Sequence, residues 1–205
     1  MRSPPPPRVT SLRRARPGVV LVEVDGSAWR EVPDDVVVRC GLAAGVELDR
    51  PLLRRLRTEL RGAEALLLAG RALRRRDLSR RRLSERLAHA GVPPAAERRA
   101  LAALTEAGAV DDTRLARNRA ASLAERGWGD SAIAARLDAE GIPEPEARAA
   151  LGTLPPESER AARVAAGVVG DRRKAWALLA RRGFDPETAQ ALLESLDESG
   201  GGGLG

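Results

Sequence analysis

The chain has 205 residues, of which 43% are hydrophobic but only 2% aromatic, so any core must consist mainly of Ala, Leu and Val. With 31% charged residues, this composition favours amphipathic helices over a strand-rich sandwich. No run approaches the roughly 20 apolar residues of a membrane span. A single cysteine excludes an intrachain disulfide and fits a reducing compartment. We therefore expect a cytoplasmic protein that does not contact a membrane.

The N-terminal quarter of the chain is predicted to differ from the rest. Residues 1–16 lack the apolar region of a secretory signal and are predicted to form a disordered arm rich in Pro and Arg. Residues 17–61 are predicted to form a small α+β module. Two β-rich runs flank Asp25-Gly26, a dipeptide typical of tight hairpin turns.

Two helices should complete this module. The first follows Pro33 and is closed by Gly41. The second has Asp49 as its N-cap and a stripe of leucines at helical spacing, and it is predicted to end before residue 62.

From residue 62 onward the pattern is helical, and one element recurs three times. Gly91, Gly141 and Gly183 each follow a leucine by four positions and precede an apolar residue. A proline comes next in the first two copies, and in the third it follows Asp185. A glycine just past a helix end can adopt the left-handed conformation and close a Schellman motif. We call each segment a corner and predict contacts between Leu87 and Val92, between Leu137 and Ile142, and between Leu179 and Phe184.

Each corner is preceded by a further helical segment, which predicts a repeating unit of three helices. The predicted fold is mainly α, with helix-turn-helix-like repeats at residues 62–108, 109–154 and 155–197 and a flexible tail at 198–205. Because a unit of this size buries little apolar surface alone, the three repeats should pack into a curved array.

Positive charge is concentrated in one block. Residues 50–99 carry fifteen basic against five acidic side chains, an excess of ten, whereas the whole chain has a net charge of +6. Such a block could bind a phosphate backbone or an acidic protein surface. The alternative is a solvated face, since Lys174 is the only lysine and heavy arginine use can reflect codon composition. The candidate contact residues are Arg71, Arg74, Arg75, Arg76, Arg80, Arg81, Arg82 and Arg86.

Residues that could carry catalysis are scarce. His89 is the only histidine and Cys40 the only cysteine, so an ordinary zinc site cannot be assembled. No phosphate-binding Gly-Lys loop or nucleophile elbow is present. Asp111 and Asp112 open a helix, where two carboxylates mainly complement the helix dipole. The sequence predicts a protein that is not an enzyme and holds no metal or cofactor.

The corners have the shape of DNA-reading helix-turn-helix units, but their second helices argue against base reading. A reading helix should begin with Arg, Lys, Asn or Gln. The helix after Pro93 offers Arg98 and Arg99, but the one after Pro143 begins Glu-Pro-Glu and the one after Pro186 has no basic side chain. We therefore do not expect all three copies to read bases.

Two segments resemble the RecX family of recombinase regulators. ALRRRDLSRRRLSERLAHAGV (72–92) is similar to the family's opening signature, and AVDDTRLARNRAASLAERGWGDSAIAARLDAEGI (109–142) is similar to its most specific segment. Val110 and Leu115 depart from the family's usual Leu and Phe but remain apolar. The resemblance covers about residues 62–196, and the N-terminal module is similar to an extension found in some members.

The resemblance implies tandem three-helix repeats without catalytic residues of their own. It also implies binding to the RecA–DNA filament, inhibition of the recombinase and its ATPase, and a role in homologous recombination, DNA repair and the SOS response. The family signature makes Asp111, Asp112 and Arg114 candidate partner contacts, and we expect a monomer. Two other functions are left open: a stand-alone DNA-binding protein that acts through a sequence-nonspecific basic patch, and a helical scaffold for another protein.

Overall fold

The computed structural model describes residues 5–168 and 171–200, and these residues form three strands and ten helices. The strands are β1 (Val9–Arg16), β2 (Val19–Val24) and β3 (Ser27–Pro33). The helices are α1 (Asp34–Cys40), α2 (Arg50–Leu73), α3 (Arg80–His89), α4 (Pro94–Glu106), α5 (Asp112–Glu125), α6 (Asp130–Ala139), α7 (Glu144–Leu151), α8 (Glu157–Ala165), α9 (Arg172–Arg182) and α10 (Pro186–Gly200). The chain is thus mainly helical, with a three-stranded antiparallel sheet at its N-terminal end.

The predicted hairpin is confirmed. β2 and β3 pair antiparallel across a two-residue turn in which Asp25 and Gly26 have φ values of 49° and 79°. Positive φ at both central residues is the geometry of a type I′ turn, whose twist matches that of the flanking strands. Asp25 is the only non-glycine residue with positive φ in the described part of the chain.

The predicted disordered arm is wrong for residues 9–16, which form strand β1 and complete the sheet in the order β1-β2-β3. Val9 is 1% exposed and belongs to the core of the module. Ser11 Oγ donates to a carboxylate oxygen of Glu23 at 2.6 Å, and this bond, aided by the nearby Arg13 guanidinium, lowers the pKa of Glu23. Three of the eight residues of β1 are arginines, as many as are apolar, so the composition of this strand did not indicate a β-strand. Residues 1–4 of the arm lie outside the described residues.

Helix α2 crosses the predicted module boundary at residue 61 without interruption. It begins as predicted, because Asp49 Oδ1 accepts a hydrogen bond from the Leu52 amide at 2.8 Å. Gly62 lies inside the helix rather than at its end. A glycine within a helix costs about 1 kcal/mol relative to alanine, which the apolar stripe from Leu56 to Ala72 can offset.

The core of the sheet region also uses the first part of α2. Nine buried residues form this core: Val9, Val22, Val32, Val36, Val37, Cys40, Leu42, Leu48 and Leu56. On another face of α2, hydrogen bonds from Arg99 and Arg39 hold the pKa of Glu59 below its usual value.

All three corners have the predicted Schellman geometry. Gly91, Gly141 and Gly183 have φ between 73° and 77°. At each corner the residue after the glycine donates its amide five positions back: Val92 to Leu87 at 3.1 Å, Ile142 to Leu137 at 3.0 Å, and Phe184 to Leu179 at 3.2 Å. These six residues are buried, so the predicted local folding of the corners is confirmed.

The chain divides into two compact units. The first contains the residues up to Arg76 together with Leu83–Ala107, and the second contains Asp77–Arg82 together with the residues from Gly108 on. Within the second unit, α5, α6 and α7 pack around one core, and α8, α9 and α10 pack around another. Helix α10 extends to Gly200, so residues 198–200 of the predicted tail are helical, and 201–205 lie outside the described residues.

Candidate nucleic-acid and partner interface

All eight predicted arginines are exposed, and the positions between them that face inward are apolar or small. The exposed side chains are those of Arg71, Arg74, Arg75, Arg76, Arg80, Arg81, Arg82 and Arg86. The buried ones are Ala72, Leu78, Ser79, Leu83 and Leu87. Arg71, Arg74–Arg76 and Arg86 belong to the first unit and Arg80–Arg82 to the second. The structure therefore does not bring the eight together within a single unit.

The arginines of the first unit lie where a helix end favours them. Arg71 is in the last turn of α2, and Arg74 is its C-cap, followed by Arg75 and Arg76. A helix C-terminus carries partial negative charge, which stabilises nearby cations by about 0.3–1 kcal/mol. In the described residues, no carboxylate forms an ion pair with these four side chains. Their charge is therefore exposed and stabilised by the helix rather than neutralised.

The arginines of the second unit lie where a helix end disfavours them. Helix α3 begins with Arg80, Arg81 and Arg82 and has no acidic residue in its first turn, although a helix N-terminus carries partial positive charge. An acid from another helix offsets this cost, since Asp112 Oδ1 accepts a hydrogen bond from the Arg80 amide at 2.8 Å. Residues whose charge opposes the stability of their own helix often lie at functional positions.

The start of α3 is held against the corner at Gly141 by contacts that we call the first junction. Ser79 Oγ donates to the Glu140 carbonyl at 2.6 Å and accepts from the Arg82 amide at 3.2 Å. The Arg82 guanidinium donates to the Ala139 carbonyl. A Cβ on Gly141 would lie 3.2 Å from the Arg81 Cβ. Arg82 thus has a structural contact that the sequence pattern did not suggest.

The signature residues Asp111, Asp112 and Arg114 also have contacts within the fold. Asp111 caps α5 by accepting from the Arg114 amide at 2.9 Å, and its Oδ2 lies 3.5 Å from the Arg114 guanidinium. Arg114 also donates to the Gly108 carbonyl at 3.0 Å. These bonds fix the start of α5 and explain the residue types at these positions. A partner contact through the exposed parts of the same side chains stays a prediction.

A second set of contacts, between the start of α6 and the corner at Gly183, was not foreseen. We call it the second junction. The Gly129 amide donates to the Arg182 carbonyl at 2.9 Å. A Cβ on Gly129 would lie 2.3 Å from Gly183 O and from Phe184 N, so only glycine permits this approach.

The second junction also encloses Arg160, which is 1% exposed. Its guanidinium donates to the carbonyls of Trp128 and Pro155, both at 3.0 Å, and to the Asp130 carboxylate. Arg136 lies over the Trp128 ring at 3.7 Å from the ring centroid. In the sequence, the signal for this junction is the pair Trp128-Gly129, because Trp128 is one of only three tryptophans in a chain with few aromatic residues.

The single cysteine is buried and the single histidine is exposed. Burial raises the pKa of the Cys40 thiol, and the nearby Glu59 carboxylate adds to that effect. His89 is exposed on α3. Among the described residues, no three His, Cys, Asp or Glu side chains are grouped so that they could hold a metal ion. Within the same residues, none of the helices is both long enough and apolar enough to cross a bilayer.

The described residues thus define a class: mainly helical proteins with a small N-terminal antiparallel sheet and exposed arginines at helix ends. No protein-family model matches the chain. The chain is 37% identical over 123 residues to the regulatory protein RecX of Stenotrophomonas maltophilia (strain K279a), covering 56% of this chain and 76% of that protein. It is 34% identical over 137 residues to the regulatory protein RecX of Halorhodospira halophila, covering 62% and 85% respectively. The chain belongs to the RecX family of regulatory proteins.

Solved structures share the fold. A crystal structure of a regulatory protein RecX matches with a TM-score of 0.79 at 20% identity, covering 92% of this chain and 99% of that one. The RecX of Lactobacillus salivarius matches with a TM-score of 0.60 at 17% identity, covering 67% and 97%. A match over 92% of the chain cannot omit the N-terminal sheet region, so the likeness includes part of the predicted module.

Proposed function

We propose that this protein regulates a RecA-type recombinase by binding the filament that the recombinase forms on DNA and by restraining its ATP hydrolysis and strand exchange. The observation that carries the proposal is 37% identity to a protein named as a RecX regulator, across 76% of that protein's length. The regulator performs no catalysis itself and acts in homologous recombination, DNA repair and the SOS response.

The arginines at the helix ends supply the electrostatic part of this proposal. Arg80, Arg81 and Arg82 are exposed at the start of α3, where their positive charges can contribute to the binding of an anion. The arginines at the end of α2, which form no ion pair with any described residue, can contact phosphates of the filament's DNA or acidic side chains of the recombinase. Such contacts position the regulator without reading base sequence.

The two junctions support the interpretation of the chain as tandem three-helix repeats. Ser79 and Gly129 each lie twelve residues before a corner glycine, Gly91 and Gly141. Each donates to the carbonyl directly before the next corner glycine, Glu140 or Arg182. Equivalent positions therefore make equivalent contacts, as expected of a repeated sequence unit.

A titration of the purified protein into a RecA recombinase on single-stranded DNA tests the proposal. ATP hydrolysis should fall several-fold as the regulator approaches a stoichiometric ratio to recombinase subunits. Hydrolysis that stays unchanged through that ratio would reject the function. Pre-formed and newly assembling filaments should be compared, because stronger inhibition of assembly would indicate action at filament ends.

The second candidate is a DNA-binding protein that needs no protein partner, and the exposed arginines of α2 favour it as well. Binding of labelled DNA at several salt concentrations separates the two. A phosphate-binding protein loses affinity steeply with salt, with a log–log slope of about −0.9 for each phosphate neutralised on duplex DNA. Tight, salt-sensitive binding to bare DNA without any effect on recombinase ATPase would favour this alternative.

A further inference from the structure

A groove lies between strand β3 and helix α2 in the first compact unit. Its volume is about 300 Å³. Leu56 forms its buried floor, whereas Trp29 and Leu53 remain 39% and 37% exposed beside it. The lining residues are Trp29, Arg30, Leu53, Leu56, Arg57, Leu60, Arg61 and Glu64.

A β-bulge places two neighbouring side chains at this groove. Val22 pairs with Arg30 and Glu23 pairs with Ala28, so Trp29 is an extra residue without a partner on β2. Successive side chains of a regular strand point to opposite faces, and a bulge re-aims them. Trp29 and Arg30 can therefore both line the groove, with the Arg30 guanidinium 5.6 Å from the centroid of the Trp29 ring.

The rim of the groove carries cations without neutralising partners. Arg30, Arg57 and Arg61 line it against one carboxylate, that of Glu64. Among the described residues, none of these arginines forms an ion pair. By contrast, Glu59 on the same helix is paired with both Arg39 and Arg99.

We propose that this groove binds an acidic peptide segment of a protein partner, with one apolar side chain seated on Leu53, Leu56 and Trp29. Carboxylates on either side of that apolar residue would pair with Arg30, Arg57 and Arg61. Strand β3 is an edge of the sheet, so an extended peptide can also bond to its backbone.

The apolar floor of the groove favours a peptide over a nucleic acid as its ligand. Single-stranded nucleic acids bind to successive aromatic side chains, whereas Trp29 is alone here and its ring already contacts Arg30. A floor of leucines suits an aliphatic or aromatic side chain, and a phosphate backbone has no group to fill it. The inference does not depend on the proposed recombinase regulation.

Fluorescence anisotropy with a synthetic peptide tests the proposal on the full-length protein. The probe is a labelled peptide with a central Leu-Phe pair flanked by glutamates, and its control has serine in place of Leu and Phe. Saturable binding of the probe is expected, with affinity at least about tenfold lower for the serine control. Arg57→Gln/Arg61→Gln and Trp29→Ala should each weaken binding about tenfold.

The matched control variant is Arg54→Gln/Arg55→Gln, which removes the same charge from exposed positions of α2 outside the groove. It should change peptide affinity by less than about twofold, because salt largely screens exposed charges that lie outside the groove. Equal effects of the two double variants, equal binding of the two peptides, or no binding would each overturn the proposal. Labelled oligothymidylate that binds in a Trp29-dependent manner, while the peptide does not, would assign the groove to nucleic acid.

Discussion

The first and second junctions each bond the residue at the start of a helix to the carbonyl before a corner glycine, but they use different residues. In the first, the Ser79 hydroxyl donates to the Glu140 carbonyl at 2.6 Å, and in the second the Gly129 amide donates to the Arg182 carbonyl at 2.9 Å. The first residue of a later helix supplies a carboxylate in both: Asp112 of α5 accepts from the Arg80 amide at 2.8 Å, and Glu157 of α8 accepts from the Asp130 amide at 2.6 Å. The two junctions therefore keep the same contact while the group that makes it changes.

The two junctions differ in how closely the two backbone segments approach each other and in which side chain is buried beside them. At the second junction the backbones of Gly129 and Gly183 touch, whereas at the first a serine side chain separates the chains. Arg160, the fourth residue of α8, is buried beside the second junction, and Leu115, at the equivalent position of α5, is buried as well. The second junction is thus tight and polar, and it should tolerate substitution less well.

The largest effect is expected from Gly129→Ala. The added Cβ would lie 2.3 Å from backbone atoms of Gly183 and Phe184, which cannot move without opening the junction. We expect a loss of about 3 kcal/mol in the free energy of unfolding, measured by urea denaturation. Gly152→Ala is the control, because its Cβ would have only ordinary contacts at 3.6 Å. Similar stability of the two variants would refute the description of the second junction.

Arg160→Met should be nearly as damaging. It removes three hydrogen bonds and leaves the carbonyls of Trp128 and Pro155 without that donor. The expected loss is about 3 kcal/mol, since breaking a buried charged network leaves its members unpaired. Leu115→Met at the equivalent position of the first junction should cost less than about 1.5 kcal/mol. Equal costs would mean that the two junctions do not differ in the way described.

Ser79→Ala tests the first junction and should have an intermediate effect. The hydroxyl both donates to the Glu140 carbonyl and accepts from the Arg82 amide, so its loss should cost about 1–2 kcal/mol. Hydrogen exchange of the Arg82 amide should accelerate. Ser131→Ala, at an exposed position near the second junction, is the control and should leave stability unchanged. An unchanged exchange rate at Arg82 would contradict the proposed cap.

The smallest effect is expected from removing charge at the two junction carboxylates. Asp112→Asn should cost about 0.5–1 kcal/mol at low salt, because Asp112 offsets three arginines at the start of α3. Glu157→Gln should cost less, because α6 begins with Asp130 instead. The difference should shrink in high salt as the charges are screened. A larger cost for Glu157→Gln would show that charge compensation is not the role of Asp112.

Local chemistry made part of the fold predictable. The corners follow from glycine and proline spacing, and the hairpin follows from Asp25-Gly26, because in each case a few neighbouring residues determine the backbone. The junctions could not be read in the same way. Ser79 and Glu140 are 61 positions apart, and the requirement at Gly129 comes from a chain segment more than fifty residues away.

The candidate site was predictable to a similar extent. Eight exposed arginines follow from the helical pattern, because the apolar positions between them must face inward. The contact of Arg82 with the Ala139 carbonyl depends on tertiary packing and could not be foreseen. The groove beside Trp29 depends on a single unpaired residue in β3, which no periodicity indicates. The sequence did not predict strand β1, because its three arginines are equally typical of a disordered basic arm.

The proposed regulation is tested most directly by recombinase ATP hydrolysis on single-stranded DNA with three forms of this protein. The forms are the wild type, Arg74→Gln/Arg75→Gln/Arg76→Gln, and a control that loses the same charge at scattered exposed positions, Arg14→Gln/Arg98→Gln/Arg163→Gln. Wild type and control should inhibit hydrolysis at similar concentrations, and the clustered variant should require several-fold more protein. Absence of inhibition by the wild type, or equal potency of all three forms, would contradict the account.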